Sequence, residues 1–147
     1  MSFDDLPPDW PTRAVTDPDV LVNLVDLVVT EASRDEGVLY VWLCGPADRL
    51  MQPCAVTAVS ASTPDERRET IDPFARVLAE QVPDGSLVVV VARPGAPRTT
   101  DHDELWRDAA QTVCRSRRLR LAGVVVATRE AIWQLPDPGL QAQARSA

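Results

Sequence analysis

The chain predicts a single α/β domain, a mixed central sheet between helices, in the element order α-β-β-α-β-α-β-β. Three observations carry that expectation. Ser86–Ala92 (Ser-Leu-Val-Val-Val-Val-Ala) is apolar on both faces, as a strand covered by helices must be. It runs through Arg93-Pro-Gly-Ala-Pro97 into a helix opened by Thr99-Thr-Asp-His-Asp-Glu104, and a second apolar run, Leu121–Ala127, follows that helix. A strand, a tight loop and a helix N-terminus in succession form the frame on which α/β proteins place their sites. A length of 147 residues suits one domain with a real core, and 45% apolar residues exclude bulk disorder.

Residues 1–16 are rich in Pro and Asp and show no period, so they read as an extended N-terminal arm that Phe3, Leu6 and Trp10 can pin to the domain at 17–136. Asp17 and Pro18 supply an N-cap and a first-turn proline. Val20, Leu21, Leu24, Val25, Leu27 and Val28 then recur at helical spacing, with Asn23, Asp26 and Thr30 opposite. Gly37 ends the turn before a β-rich run, Val38–Cys44. A turn at Gly45–Asp48 leads to a second strand over 50–60, where Pro53 predicts an edge position. Thr63-Pro-Asp-Glu66 has the pattern of a capping box, and the helix behind it turns Ile71, Phe74, Leu78 and Val82 inward, with a kink expected before Pro73. The helix at about 100–117 carries Asp101, Asp103 and Glu104 at its start and Arg115, Arg117 and Arg118 at its end, complementing the helix dipole at both. A short last strand is expected at 131–135, and 137–147 reads as a flexible polar tail.

The charge of −7 argues against a general binder of nucleic acid or anionic membranes. All fifteen basic residues are arginine, and the lack of lysine excludes a Schiff-base lysine and a P-loop. Cys44, Cys54 and Cys114 are widely spaced, so a zinc ribbon or a disulfide framework is not expected; each reads as a small buried hydrophobe. Cys44, before Gly45, is the best placed of the three for a nucleophile, but the only histidine, His102, lies on another loop. The N-terminus lacks the basic and apolar regions of a signal peptide, and no apolar run reaches bilayer-spanning length. The expected location is the cytoplasm, with no membrane partner.

The element order and several local strings resemble the RadC-like branch of the JAB/MPN metal-dependent isopeptidase superfamily, over about residues 18–135. Asp35-Glu36-Gly-Val-Leu-Tyr-Val-Trp-Leu43 is similar to the family's acidic residue leading into its first strand. Pro46-Ala-Asp-Arg-Leu50, Thr63-Pro-Asp-Glu-Arg67 and Leu119–Ala127 are similar to the turn, helix start and strand that follow. The resemblance implies a JAB/MPN-like fold. It also implies a site built on His-x-His-Pro and Ser-x-x-Asp, in which two histidines and the aspartate hold zinc and an upstream glutamate is the base. Val91-Ala92-Arg93-Pro94 stands in the first motif's place and keeps only the proline. Thr100 and Asp103 match the Ser and Asp if the loop is one residue shorter, otherwise Asp101 and Glu104 do, and Glu36 matches the base.

A catalytic zinc needs three protein ligands and an open position, and an arginine beside one carboxylate opposes it. No metal and no cofactor are expected, and enzyme activity is disfavoured. The leading expectation is an inactive RadC/JAB-like domain that binds another protein or itself, with Trp10 and Trp106 as possible interface residues. One alternative is a small-ligand binder or cryptic enzyme using the loop from Arg93 to Asp103. Another is nucleic-acid binding through Arg115-Ser-Arg-Arg-Leu-Arg120, the only basic cluster, although a solvated helix end explains that cluster as well. Two structural expectations follow: Glu36, the 93–97 loop and Asp103 converge at one end of the sheet, and Arg93 pairs with Asp103, or with Glu104 if the loop has no deletion.

Overall fold

A computed structural model describes residues 20–57 and 61–136. The arm at 1–16, including Trp10, the caps Asp17 and Pro18, and the tail at 137–147 lie outside the described residues. The elements are helices α1 (Leu21–Val28) and α2 (Glu31–Glu36), strand β1 (Val38–Cys44), a 3-10 turn (Pro46–Asp48), β2 (Leu50–Val56), α3 (Pro64–Gln81), β3 (Ser86–Ala92), α4 (Asp101–Arg117), β4 (Arg120–Ala127) and β5 (Ile132–Gln134).

The five strands form one sheet in the order β2-β1-β3-β4-β5. It is mixed: β3 runs parallel to β4 through the α4 crossover, and the other pairs are antiparallel. Pro53 sits on β2, an edge strand, where its missing N–H interrupts least. All seven residues of β3 are buried, as their two apolar faces require.

Side-chain alternation divides the core into two layers. Val38, Tyr40, Trp42, Val88, Val90, Ala92 and Val125 pack with Leu21, Leu24 and Val25 of α1 on one face. Leu39, Val41, Leu87, Val89, Val91, Val124 and Val126 pack with α3 and α4 on the other. Ala122 is the extra residue where the β3–β4 register shifts between Leu87 and Val88.

The expected order needs one correction, the additional helix α2. Its sequence, Glu-Ala-Ser-Arg-Asp-Glu, has no apolar period, so the pattern that reveals α1 is silent here. Thr30 caps it by accepting the Ser33 backbone N–H. Arg34, buried, then reaches back to donate to the Asp26 carboxylate and the Val29 carbonyl, both at 3.1 Å. Gly37 closes α2 at φ +85°, a conformation that side-chain-bearing residues rarely adopt, and redirects the chain into β1.

Smaller corrections concern α3, β2 and β5. Thr63 accepts the Glu66 N–H, but the Glu66 carboxylate takes the Thr63 hydroxyl rather than its backbone N–H, so only half of a capping box forms. Helix α3 continues through Pro73; Ile71 and Leu78 are buried, and Phe74 and Val82 are half-buried. The second strand covers Leu50–Val56, with positions 58–60 of the expected run outside the described residues, and the last strand covers only Ile132–Gln134. No described helix is long and apolar enough to cross a membrane.

Candidate functional site

The β3–α4 connection begins in register with the sheet, because the Arg93 N–H donates to the Ala127 carbonyl at 3.0 Å, one residue past the strand end. Loop 94–99 then crosses to α4 with Gly95 at φ +103°, where glycine's freedom is needed. At the helix start Thr100 and Asp103 form a full capping box. The Thr100 N–H donates to Asp103 Oδ2 at 2.9 Å, and the Asp103 N–H to Thr100 Oγ1 at 3.4 Å.

Arg93 folds back under this loop onto Asp103. Nε donates to Oδ1 at 2.7 Å and Nη2 to Oδ2 at 2.8 Å, a bidentate fork. Nη1 donates to the carbonyls of Pro94 and Ala96, both at 3.1 Å, and Nη2 also to that of Arg98 at 2.8 Å. A guanidinium has five N–H donors, and these five bonds use them all. Asp103 is fully buried and Arg93 is 8% exposed. The guanidinium also lies 5.9 Å from the centroid of the Trp133 ring, whose Nε1 donates to Thr99 Oγ1 at 2.9 Å. Burial pushes the Asp103 carboxyl up, but the Arg93 fork and the Thr100 N–H outweigh it and hold the group below its ordinary value.

The structure therefore shows the Arg93–Asp103 pair. Glu104 takes no part in it and lies near Arg107 instead. Glu36 comes to the same end of the sheet because β1 is antiparallel to β3, with Val38 opposite Ala92. A cleft of about 240 Å³ opens there, lined among others by Glu36, Leu39, Val91, Pro94, His102 and Trp106. Val91 lies across the sheet from Leu39, Thr100 caps α4, and Pro94 is exposed at the rim.

Trp106, expected as a possible interface residue, is 3% exposed and packs in the α3–α4 core layer, with its ring edge-on to exposed His102 at 6.5 Å. It also lines the cleft beside Leu39 and Val91.

The residues at this end do not fit a zinc ion. Both Asp103 oxygens already accept from Arg93, and no group of three metal-capable side chains occurs among the described residues. A thiol nucleophile fares no better. Burial pushes Cys44 up to about 12, with the nearby Asp48 charge adding to it, and burial alone pushes Cys114 to about 12. Half-buried Cys54 is also raised by burial.

Two of the four arginines in the basic cluster meet an acid. Arg117 forks onto Asp72 at 3.0 and 2.8 Å, and Arg120 meets Asp48 at 2.7 Å. Arg118 is the left-handed C-cap of α4.

The three loop carbonyls held by Arg93 escape sequence reasoning, since a backbone acceptor leaves no residue signature. The choice of Asp103 over Glu104 was available from Thr100-x-x-Asp103, a capping pattern. No protein-family model matches the chain, and no curated protein is significantly similar to it.

Proposed function

We propose that the chain is a catalytically inactive domain of RadC/JAB-like type that works by binding another protein or a second copy of itself. The observation that supports this reading most is the saturation of the Arg93–Asp103 pair. In the place that the resemblance assigns to a metal ligand stands a guanidinium whose five donors are all used internally. It supplies the fixed positive charge that a metal would otherwise bring to Asp103, and it does so with no open coordination position for water. Such an arrangement holds a loop and a helix start in one geometry and activates nothing.

Elemental analysis of protein purified without chelator, combined with sedimentation velocity over a wide concentration range, tests the reading. The expected result is substoichiometric zinc, no rise in melting temperature on adding zinc, and either concentration-dependent association or a reproducible complex with a native partner. Stoichiometric zinc, or zinc-dependent hydrolysis of an isopeptide substrate, overturns it.

A further inference from the structure

The cleft beside the locked arginine carries an inference of its own. Its floor is apolar, built by the cross-strand neighbours Leu39 and Val91 with Trp106 beside them. Arg93 lines it too, but its charge is matched by Asp103 and its donors are all taken, so it offers an incoming anion no N–H. That leaves Glu36, exposed at the rim and engaged in no hydrogen bond or ion pair among the described residues. His102 shares the lining, its ring set against Trp106. An apolar floor with one available carboxylate at its edge complements a short alkyl chain ending in a cation. The volume of about 240 Å³ falls below the roughly 300–1,000 Å³ of pockets that take drug-sized ligands. It suits a group of side-chain size.

We propose that this cleft is a binding site for a small organic cation, an alkylammonium whose chain lies on Leu39, Val91 and Trp106 and whose charge is met by Glu36. The 147 residues include no lysine, so none of them offers a neighbouring copy a side-chain ammonium. The inference stands on the cleft and not on the inactive-domain reading.

The test is an amide chemical-shift titration of the full chain with n-butylammonium, with n-butyrate as the charge-reversed isostere at matched ionic strength. The expected result is saturable shifts at Gly37, Val38 and Val91 with butylammonium, and none with butyrate. Glu36→Gln should weaken the response at least tenfold, and Glu36→Arg should transfer it to butyrate. Glu36 is exposed, so both variants are expected to fold, and their unchanged melting temperature verifies it. A lysine tripeptide capped at both ends, set against its Nζ-acetylated form, separates a protein-borne ammonium from a free amine. Equal response to both isosteres, or a response indifferent to Glu36→Gln, overturns the proposal.

Discussion

The two ends of the central sheet each bury an aspartate against an arginine, and they do it differently. At the end where β3 stops, Asp103 and Arg93 are both enclosed, and every guanidinium donor has a named acceptor. At the other end Asp48 is buried in a turn with φ +56°, accepts the Ser86 hydroxyl at 2.6 Å, and meets an Arg120 whose side chain is 57% exposed. In the first pair both charges have left water, so each depends on the other. In the second the arginine keeps most of its hydration, and its attraction is screened. One end is an internal strut that decides the path of a loop, and the other is a strap across a turn.

Removing the arginine at each end breaks or sharpens that contrast. Arg93→Ala leaves a buried carboxylate and three loop carbonyls without their donor, and it should destabilise the fold by about 3–5 kcal/mol. Urea unfolding checks this. Arg93→Lys should recover only part of the loss, because an ammonium cannot form the fork and reach the three carbonyls as well. A loss below about 1 kcal/mol for Arg93→Ala would mean that Asp103 finds water, and that the two ends are energetically alike.

How much of this was legible in the sequence differs between the ends for the same physical reason. β3, α4 and the edge position of β2 follow from apolar runs, acidic and basic helix ends and Pro53, all local signals. The pairing of Arg93 with Asp103 came from the resemblance, which put an arginine in the place of a metal ligand and left the acid at the start of α4 in need of a cation; the ten residues between them span one loop. The convergence of Glu36 on that end required the β1–β3 pairing, which the resemblance suggested and periodicity alone does not fix. The Asp48 cluster was invisible. Ser86 lies 38 positions from Asp48 and Arg120 72, and only the strand order brings them together. Helix α2 was hidden because its stability comes from Thr30 and from Arg34 reaching Asp26, Val29 and Thr128, not from an apolar stripe.

The pH dependence of stability sharpens the same contrast. The folded-state pKa of Asp103 is depressed below its ordinary value of 3.8, so its ion pair contributes fully above that value. The contribution is lost as pH falls through the depressed folded value, where protonation leaves Arg93 facing a neutral acid. Asp72 and Asp35 are also lowered, by Arg117 and Arg129, and they give a background to the same acid limb. Urea midpoints of the wild type and Asp103→Asn, measured from neutral pH downward, should therefore converge below about pH 4. Curves that stay parallel through that range would show that Asp103 does not titrate as an enclosed ion pair.

The smallest effect expected is at the strap. Arg120→Ala removes a side chain that is 57% exposed and touches Asp48 at 2.7 Å. Coulomb attraction in that position is weakened by water on the arginine's outer face, and fixing a long side chain costs entropy, so the net loss should be below about 1 kcal/mol. Asp48 keeps the Ser86 hydroxyl after the change, so it is not left without a hydrogen bond. The salt response supplies the discriminating readout. Moderate salt should remove most of the difference between Arg120→Ala and wild type, since an exposed pair is screened, and should leave the Arg93→Ala deficit largely intact. An Arg120→Ala loss as large as that of Arg93→Ala, and equally resistant to salt, would refute the distinction between strut and strap.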